Sequence, residues 1–191
     1  MIRGASMRIM QCSRKSSLAA LIAASAFLSA PVQSVTLDFS AVLVQGTCTI
    51  SLDKSTLDLG TITKSQLRAG QVVAPQPFVL SVQGCSGGGP TLTPVVTVTG
   101  NGIRQDNKYL FRNAGSATGT GILVFISNSV PEYNAQELIN GTHISVGPTG
   151  TTPSDRKINF YAGVSCGGIT GCATTGTGNV TANLMFSFAY M

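Results

Sequence analysis

Ten short apolar stretches, each bounded by Gly, Pro, Asn or Ser and separated by no segment of helical period, constrain this chain more than any other feature. They fall at residues 35–45, 48–52, 57–62, 78–83, 95–99, 109–112, 122–128, 142–146, 157–164 and 180–190. Val, Ile, Thr, Phe and Leu dominate them, the residue types that fit a pleated, half-buried surface. Only "AQELIN" at 135–140 hints at a helical turn. Strands that follow one another through turns, without crossover helices, pair antiparallel, so the expected architecture is a sandwich or a barrel rather than a parallel sheet.

The last stretch, within "GNVTANLMFSFAYM", is the most regular. Val180, Ala182, Leu184, Phe186, Phe188 and Tyr190 share one side of a two-residue period, which predicts a strand with one buried face. The final aromatic stands one residue before the last residue of the sequence, so neither a turn nor a second strand follows this face to pair with it.

The first residues read as an export signal. Arg3, Arg8, Arg14 and Lys15 form a basic stretch without an acid, "LAALIAASAFLSA" at 18–30 is apolar, and Val32 and Ser34 occupy the small-residue positions of a cleavage site. Cleavage is expected after Ser34, with residues 1–34 the signal peptide and 35–191 one domain, undivided by any repeat or linker. A thirteen-residue apolar run is too short to cross a bilayer comfortably. The signal also distorts the charge balance: it holds four of the twelve basic residues, which leaves eight basic against seven acidic residues in the rest. The sequence pI near 9.1 is therefore mostly a property of the leader and gives no support to a nucleic-acid partner.

Of the five cysteines, Cys12 lies in the signal. Cys48, Cys85, Cys166 and Cys172 remain, an even number in an exported chain, which favours disulfides over metal. Three pairings are open. The six-residue spacing of Cys166 and Cys172, in the glycine-rich "SCGGITGC", favours a local bridge there and a second bridge from Cys48 to Cys85 that closes a 37-residue loop. Zinc is disfavoured because His143 is the only histidine and the cysteines do not form two close pairs.

Catalytic groups are scarce. Asp53, Asp58, Asp106 and Asp155 stand in turn-like surroundings, no serine occupies a strand-to-helix elbow, and neither "GNGIRQDNKY" nor "GSATGTG" leads into a helix that could hold a phosphate. No enzyme activity, cofactor or metal is expected. "NGT" at 140–142 is a glycosylation sequon in form and is read as a turn.

The ordered pieces "FSAVLVQGTC", "LDLGTI", "FVLSVQGC", "GSATGTGILVFI" and "KINFYAGV", followed by the alternating last strand with Tyr190 penultimate and Gly178 fourteenth from the end, resemble the pilins of bacterial chaperone-usher fimbriae of the type 1 and P pilus kind. The resemblance implies an incomplete immunoglobulin-like sandwich that lacks its last strand and is completed by a strand donated by a chaperone or a neighbouring subunit. It implies, as partners, a periplasmic chaperone, an outer-membrane usher and other pilin subunits; a host receptor enters only with an alternative, adhesive reading. On the same ground Gly178, Val180, Leu184, Phe186 and Phe188 are expected at the strand-accepting groove, Tyr190 anchors the last strand, and the carboxylate of Met191 meets a basic cleft on the chaperone. The expected function is a structural subunit carried on a cell-surface fimbrium, mediating assembly and adhesion.

One departure bears on position within the fibre. Only residues 35–38 separate the expected cleavage site from Phe39, too few to serve as a donor strand, and an earlier start would bring in Pro31, which lacks a backbone donor. A subunit that accepts but does not donate belongs at the tip, as a minor component. A single-domain tip adhesin or lectin is the alternative, with "RQDNKY" and "SVPEYNAQ" as exposed polar contact loops. An outer-membrane barrel, which can also end on an alternating aromatic strand, is disfavoured by two disulfides in so short a chain.

Overall fold

The apolar stretches pair as antiparallel strands in a computed structural model that describes residues 46–191. The expected strand at 35–45 and the boundary after Ser34 lie outside these residues. Nine strands are described: β1 (Gly46–Leu52), β2 (Val73–Gly87), β3 (Pro94–Thr99), β4 (Gly102–Gln105), β5 (Lys108–Phe111), β6 (Gly121–Ile126), β7 (Thr142–Ser145), β8 (Arg156–Ser165) and β9 (Met185–Tyr190). They form a six-stranded sheet in the order β1-β2-β8-β6-β5-β4 and a three-stranded sheet in the order β7-β3-β9.

The two-residue alternation of the strands decides which side chains meet between the sheets. Phe78, Leu80 and Val82 of β2, Val124 of β6 and Ile158 and Phe160 of β8 face Val96 and Val98 of β3, and all are buried. Phe78 and Phe160 stack with ring centroids 5.0 Å apart at the centre of this core. Leu110, Leu123 and Phe125 alternate with these residues and point to the other face of the larger sheet, where Val72, Tyr133 and Ala135 cover them.

Both expected disulfides are present. Cys48–Cys85 ties β1 to β2 beside a register shift, and Cys166–Cys172 closes the loop after β8. That glycine-rich loop contains a one-turn helix α1 (Ile169–Ala173). The carboxylate of Asp106 reaches across to accept hydrogen bonds from the amides of Gly171 and Gly168 at 2.9 and 2.8 Å, and these bonds hold its pKa below the usual aspartate value. Asp106 and Asn107 adopt positive φ of 48° and 66° and turn β4 into β5, a hairpin whose second strand overlaps the expected stretch 109–112 and whose first, β4, is an addition to the expected strands.

Three further expectations need correction. Residues 57–62 form no strand, because among the described residues no strand pairs with them and Gly60, at φ 75°, turns the chain with its amide on the Asp58 side chain. "AQELIN" forms no helix: Glu137 pairs with Lys108 at 2.8 Å, and the Leu138 amide donates to the Val124 carbonyl, so the segment is held flat against β6. The last strand is hydrogen-bonded to β3 only from Met185 onward, since residues 178–181 are drawn instead to the loop 113–117.

Candidate functional site

Within the smaller sheet β9 has β3 on one side, and among the described residues no strand pairs with its other side. The backbone pattern shows which groups this leaves open. Met191 and Thr93 exchange both amide hydrogen bonds, so by the two-residue alternation the amides of Ala189, Ser187 and Met185 also point to β3, and those of Phe186 and Leu184 point away from it.

Beside that edge lies a groove of about 890 Å³. One wall is the segment after β1, with Leu57, Leu59, Ile62 and Leu67; the other is the approach to β9, with Gly178, Val180, Leu184 and Phe186. Phe78 of β2, Ile122 and Val124 of β6, and Ala162 and Val164 of β8 form the floor. This floor is the inner face of the larger sheet, seen through a gap in the smaller one. Burial reflects the gap: Val96 and Val98 on β3 are fully buried, whereas Val180, Leu184, Phe186, Leu57, Leu59 and Ile62 are each only half-buried. An apolar surface of this extent, rimmed by polar residues, is of the kind that takes up another chain, a membrane or a ligand.

Charge is confined to the rim. Lys54 donates to the Pro77 carbonyl at 2.7 Å, Asp58 accepts from the Gly60 amide at 2.8 Å, and Lys64 stands on a short 3-10 turn. The floor carries no ionisable group, so the groove suits an extended apolar segment whose backbone pairs with β9. Among the described residues no three His, Cys, Asp or Glu side chains converge as they would around a metal. His143, on β7 at the far edge of the smaller sheet, shares a hydrogen bond with Thr97 of β3 at 2.9 Å.

The sequence-expected residues fall into two groups. Gly178, Val180, Leu184 and Phe186 line the groove. Gly178, at φ 146°, lies so close to Ser116 and Ala117 that a Cβ would collide with both, and beside it Asn179 accepts hydrogen bonds from the amide and hydroxyl of Ser116. Phe186 packs edge-on against Phe78 and Phe160 with centroids 6.3 and 5.6 Å away. Phe188, Tyr190 and Met191 stand beyond the groove. The Phe188 and Tyr190 rings meet edge to face at 5.1 Å, the Tyr190 hydroxyl donates to the carbonyls of Gly87 and Ser86 at 3.1 and 3.4 Å, and Met191 is fastened through Thr93. Tyr190 thus pins β9 to the end of β2, close to the Cys48–Cys85 bridge. The floor residues were missed: each reads as an ordinary core position, and only the absence of a covering strand gives them a role. Leu57, Leu59 and Ile62 carried a signal, an apolar alternation without a partner.

Among the described residues the chain is a two-sheet antiparallel sandwich with an apolar groove beside an open strand edge. Comparison with known proteins gives its class. The family model for fimbrial proteins matches residues 37–191, and the chain belongs to that family. It is a fimbrial subunit, exported to the cell surface, in a family of structural proteins rather than enzymes. Fimbrial protein PrsE of Escherichia coli is 34% identical over 98 residues, which are 51% of this chain and 56% of that protein, so the match spans about half the length of this curated relative. Two solved structures are similar in fold. The crystal structure of the P pilus rod subunit PapA has 24% identity, covering 74% of this chain and 99% of that one, with a TM-score of 0.47. A chaperone-usher pilus described in connection with rod uncoiling has 22% identity, covering 84% and 99%, with a TM-score of 0.49.

Proposed function

We propose that the groove accepts a β-strand from a second polypeptide, and that the chain is a subunit of a chaperone-usher fimbria, with residues 35–191 as its pilin domain. The observation that carries this reading is the half-burial of Val180, Leu184 and Phe186 above an apolar floor, next to β9 edge amides that no strand among the described residues pairs with. An inserted strand satisfies those amides, covers the floor and removes an edge that would otherwise aggregate. A periplasmic chaperone lends the strand first, an outer-membrane usher presents the subunit to the fibre, and the extension of another pilin subunit then replaces the chaperone's strand. In this reading the Met191 carboxylate meets a basic cleft on the chaperone. Deleting residues 186–191 is expected to abolish recovery of a chaperone complex from the periplasm; equal recovery of the truncated chain overturns the proposal.

Within the fibre we place the subunit at the tip, as a minor component, because only residues 35–38 lie between the expected cleavage site and Phe39. N-terminal sequencing of the exported protein tests this. A mature start fifteen or more residues before Phe39, or regular labelling along the shaft, returns it to the shaft class. The same short extension favours a second reading, a single-domain tip adhesin that binds a host receptor.

A further inference from the structure

A second concavity, of about 330 Å³, opens at the end of the sandwich where β3 ends and β9 begins. Four separate segments each bring an asparagine to it: Asn101 after β3, Asn113 after β5, Asn140 before β7 and Asn183 before β9. The largely exposed Met185, at 64% exposure, supplies an apolar side. The carboxamides are only partly occupied. Asn101 donates to the side-chain oxygen of Asn113 at 3.2 Å, and Asn140 accepts from the Gly100 amide at 3.0 Å. This leaves the amide groups of Asn113 and Asn140, the oxygen of Asn101 and, among the described residues, the whole carboxamide of Asn183 able to bond a ligand.

We propose that this pocket binds a neutral saccharide. Its lining contains no charged side chain, so neither an anion nor a cation finds a counter-charge there, and a hard metal ion would lack a carboxylate. Carboxamides both donate and accept, as sugar hydroxyls do, so vicinal hydroxyls can exchange paired hydrogen bonds with neighbouring Asn side chains. The Met185 side chain offers an apolar surface to the C–H face of a pyranose ring. A volume near the lower end of small-molecule sites suits one or two rings. Loops converging from a rigid sandwich are a common setting for recognition. The pocket differs from the exposed loops 104–109 and 129–136, which the sequence alone offers as contact surfaces, and it requires no strand in the groove.

The test is a glycan array probed with the exported protein carried on its native fimbriae or in its chaperone complex, followed by titration of any glycan that binds. Asn113→Ala and the equal-sized Asn113→Asp are the test variants, because Asn113 lines this pocket and not the groove. Asn134→Ala, in loop 129–136, is the control. Thermal unfolding of each variant confirms that it is folded. Binding of a neutral glycan that weakens about tenfold or more in both Asn113 variants, the loss expected from one or two hydrogen bonds, and that persists in the control, supports the proposal. Three results overturn it: no glycan bound by the folded protein, binding indifferent to both Asn113 variants, or binding confined to charged glycans and lost in salt.

Discussion

Replacing Phe186 by Ala separates the free state of the groove from the strand-filled state. In the free subunit the ring lies edge-on to Phe78 and Phe160 and is half-buried, with its remaining surface turned to the groove. Full truncation of a buried phenylalanine costs about 3–5 kcal/mol, so the half-covered ring should cost about 2 kcal/mol when the groove is empty. An inserted strand covers the rest of the ring and brings the loss to about 4 kcal/mol. The difference of about 2 kcal/mol must appear in binding, as an affinity for a donor-strand peptide weakened by about 30-fold. The chain has no tryptophan, so urea unfolding is followed by far-ultraviolet circular dichroism or tyrosine fluorescence, with and without a synthetic peptide copying the extension of another pilin subunit. Equal destabilisation in both states, with unchanged peptide affinity, refutes the reasoning.

Other perturbations probe the frame around the groove. Removing Cys48–Cys85, which closes 37 residues, should cost about 4 kcal/mol, and removing Cys166–Cys172, which closes six, about 2 kcal/mol; urea midpoints of the two double Cys→Ala variants should fall in that order. Gly178→Ala should destabilise by about 1–3 kcal/mol, because its φ of 146° is strained for any side chain and the added carbon meets Ser116 and Ala117; recovery of folded protein measures it. Burial pushes the Glu137 carboxyl up, but the hydrogen bonds from Lys108 and the Tyr109 amide outweigh it and hold the pKa below the ordinary glutamate value. Its contribution to stability is therefore complete above that ordinary value and is lost as pH falls below it, through the lowered folded-state pKa. Unfolding curves against pH should show this acid loss in the wild type and a shallower one in Glu137→Gln.

The last strand was legible because its alternation survives folding: residues 180, 182, 184, 186, 188 and 190 are the half-buried set and 181, 183, 185 and 187 the exposed one. The disulfides were legible from spacing. Less could be read where a residue's role depends on what is missing beside it. Ile122, Val124, Ala162 and Val164 look like any core residues in their own strands, and only their position under the gap makes them a floor. At 57–62 the periodicity was real, but periodicity reports which side chains are apolar and not whether a backbone partner exists. Strand β4 and its turn were hidden because the turn uses Asp106 and Asn107 in the left-handed region without a glycine to announce it, whereas β5 overlaps the apolar stretch 109–112. The Asn-lined pocket draws on four segments that are far apart in the chain, a convergence that no local pattern records.

The most direct test of the central claim is amide hydrogen exchange at Leu184 and Phe186, the groove-lining residues whose amides point away from β3. Exchange is followed by nuclear magnetic resonance in the purified exported protein, before and after a donor-strand peptide binds. The account predicts fast exchange at both positions in the free protein, next to protected Ser187 and Ala189, and slowing by about two orders of magnitude or more once the strand is in place. Protection of Leu184 and Phe186 already present in the free protein, or no change at either position while the peptide is demonstrably bound, would contradict it.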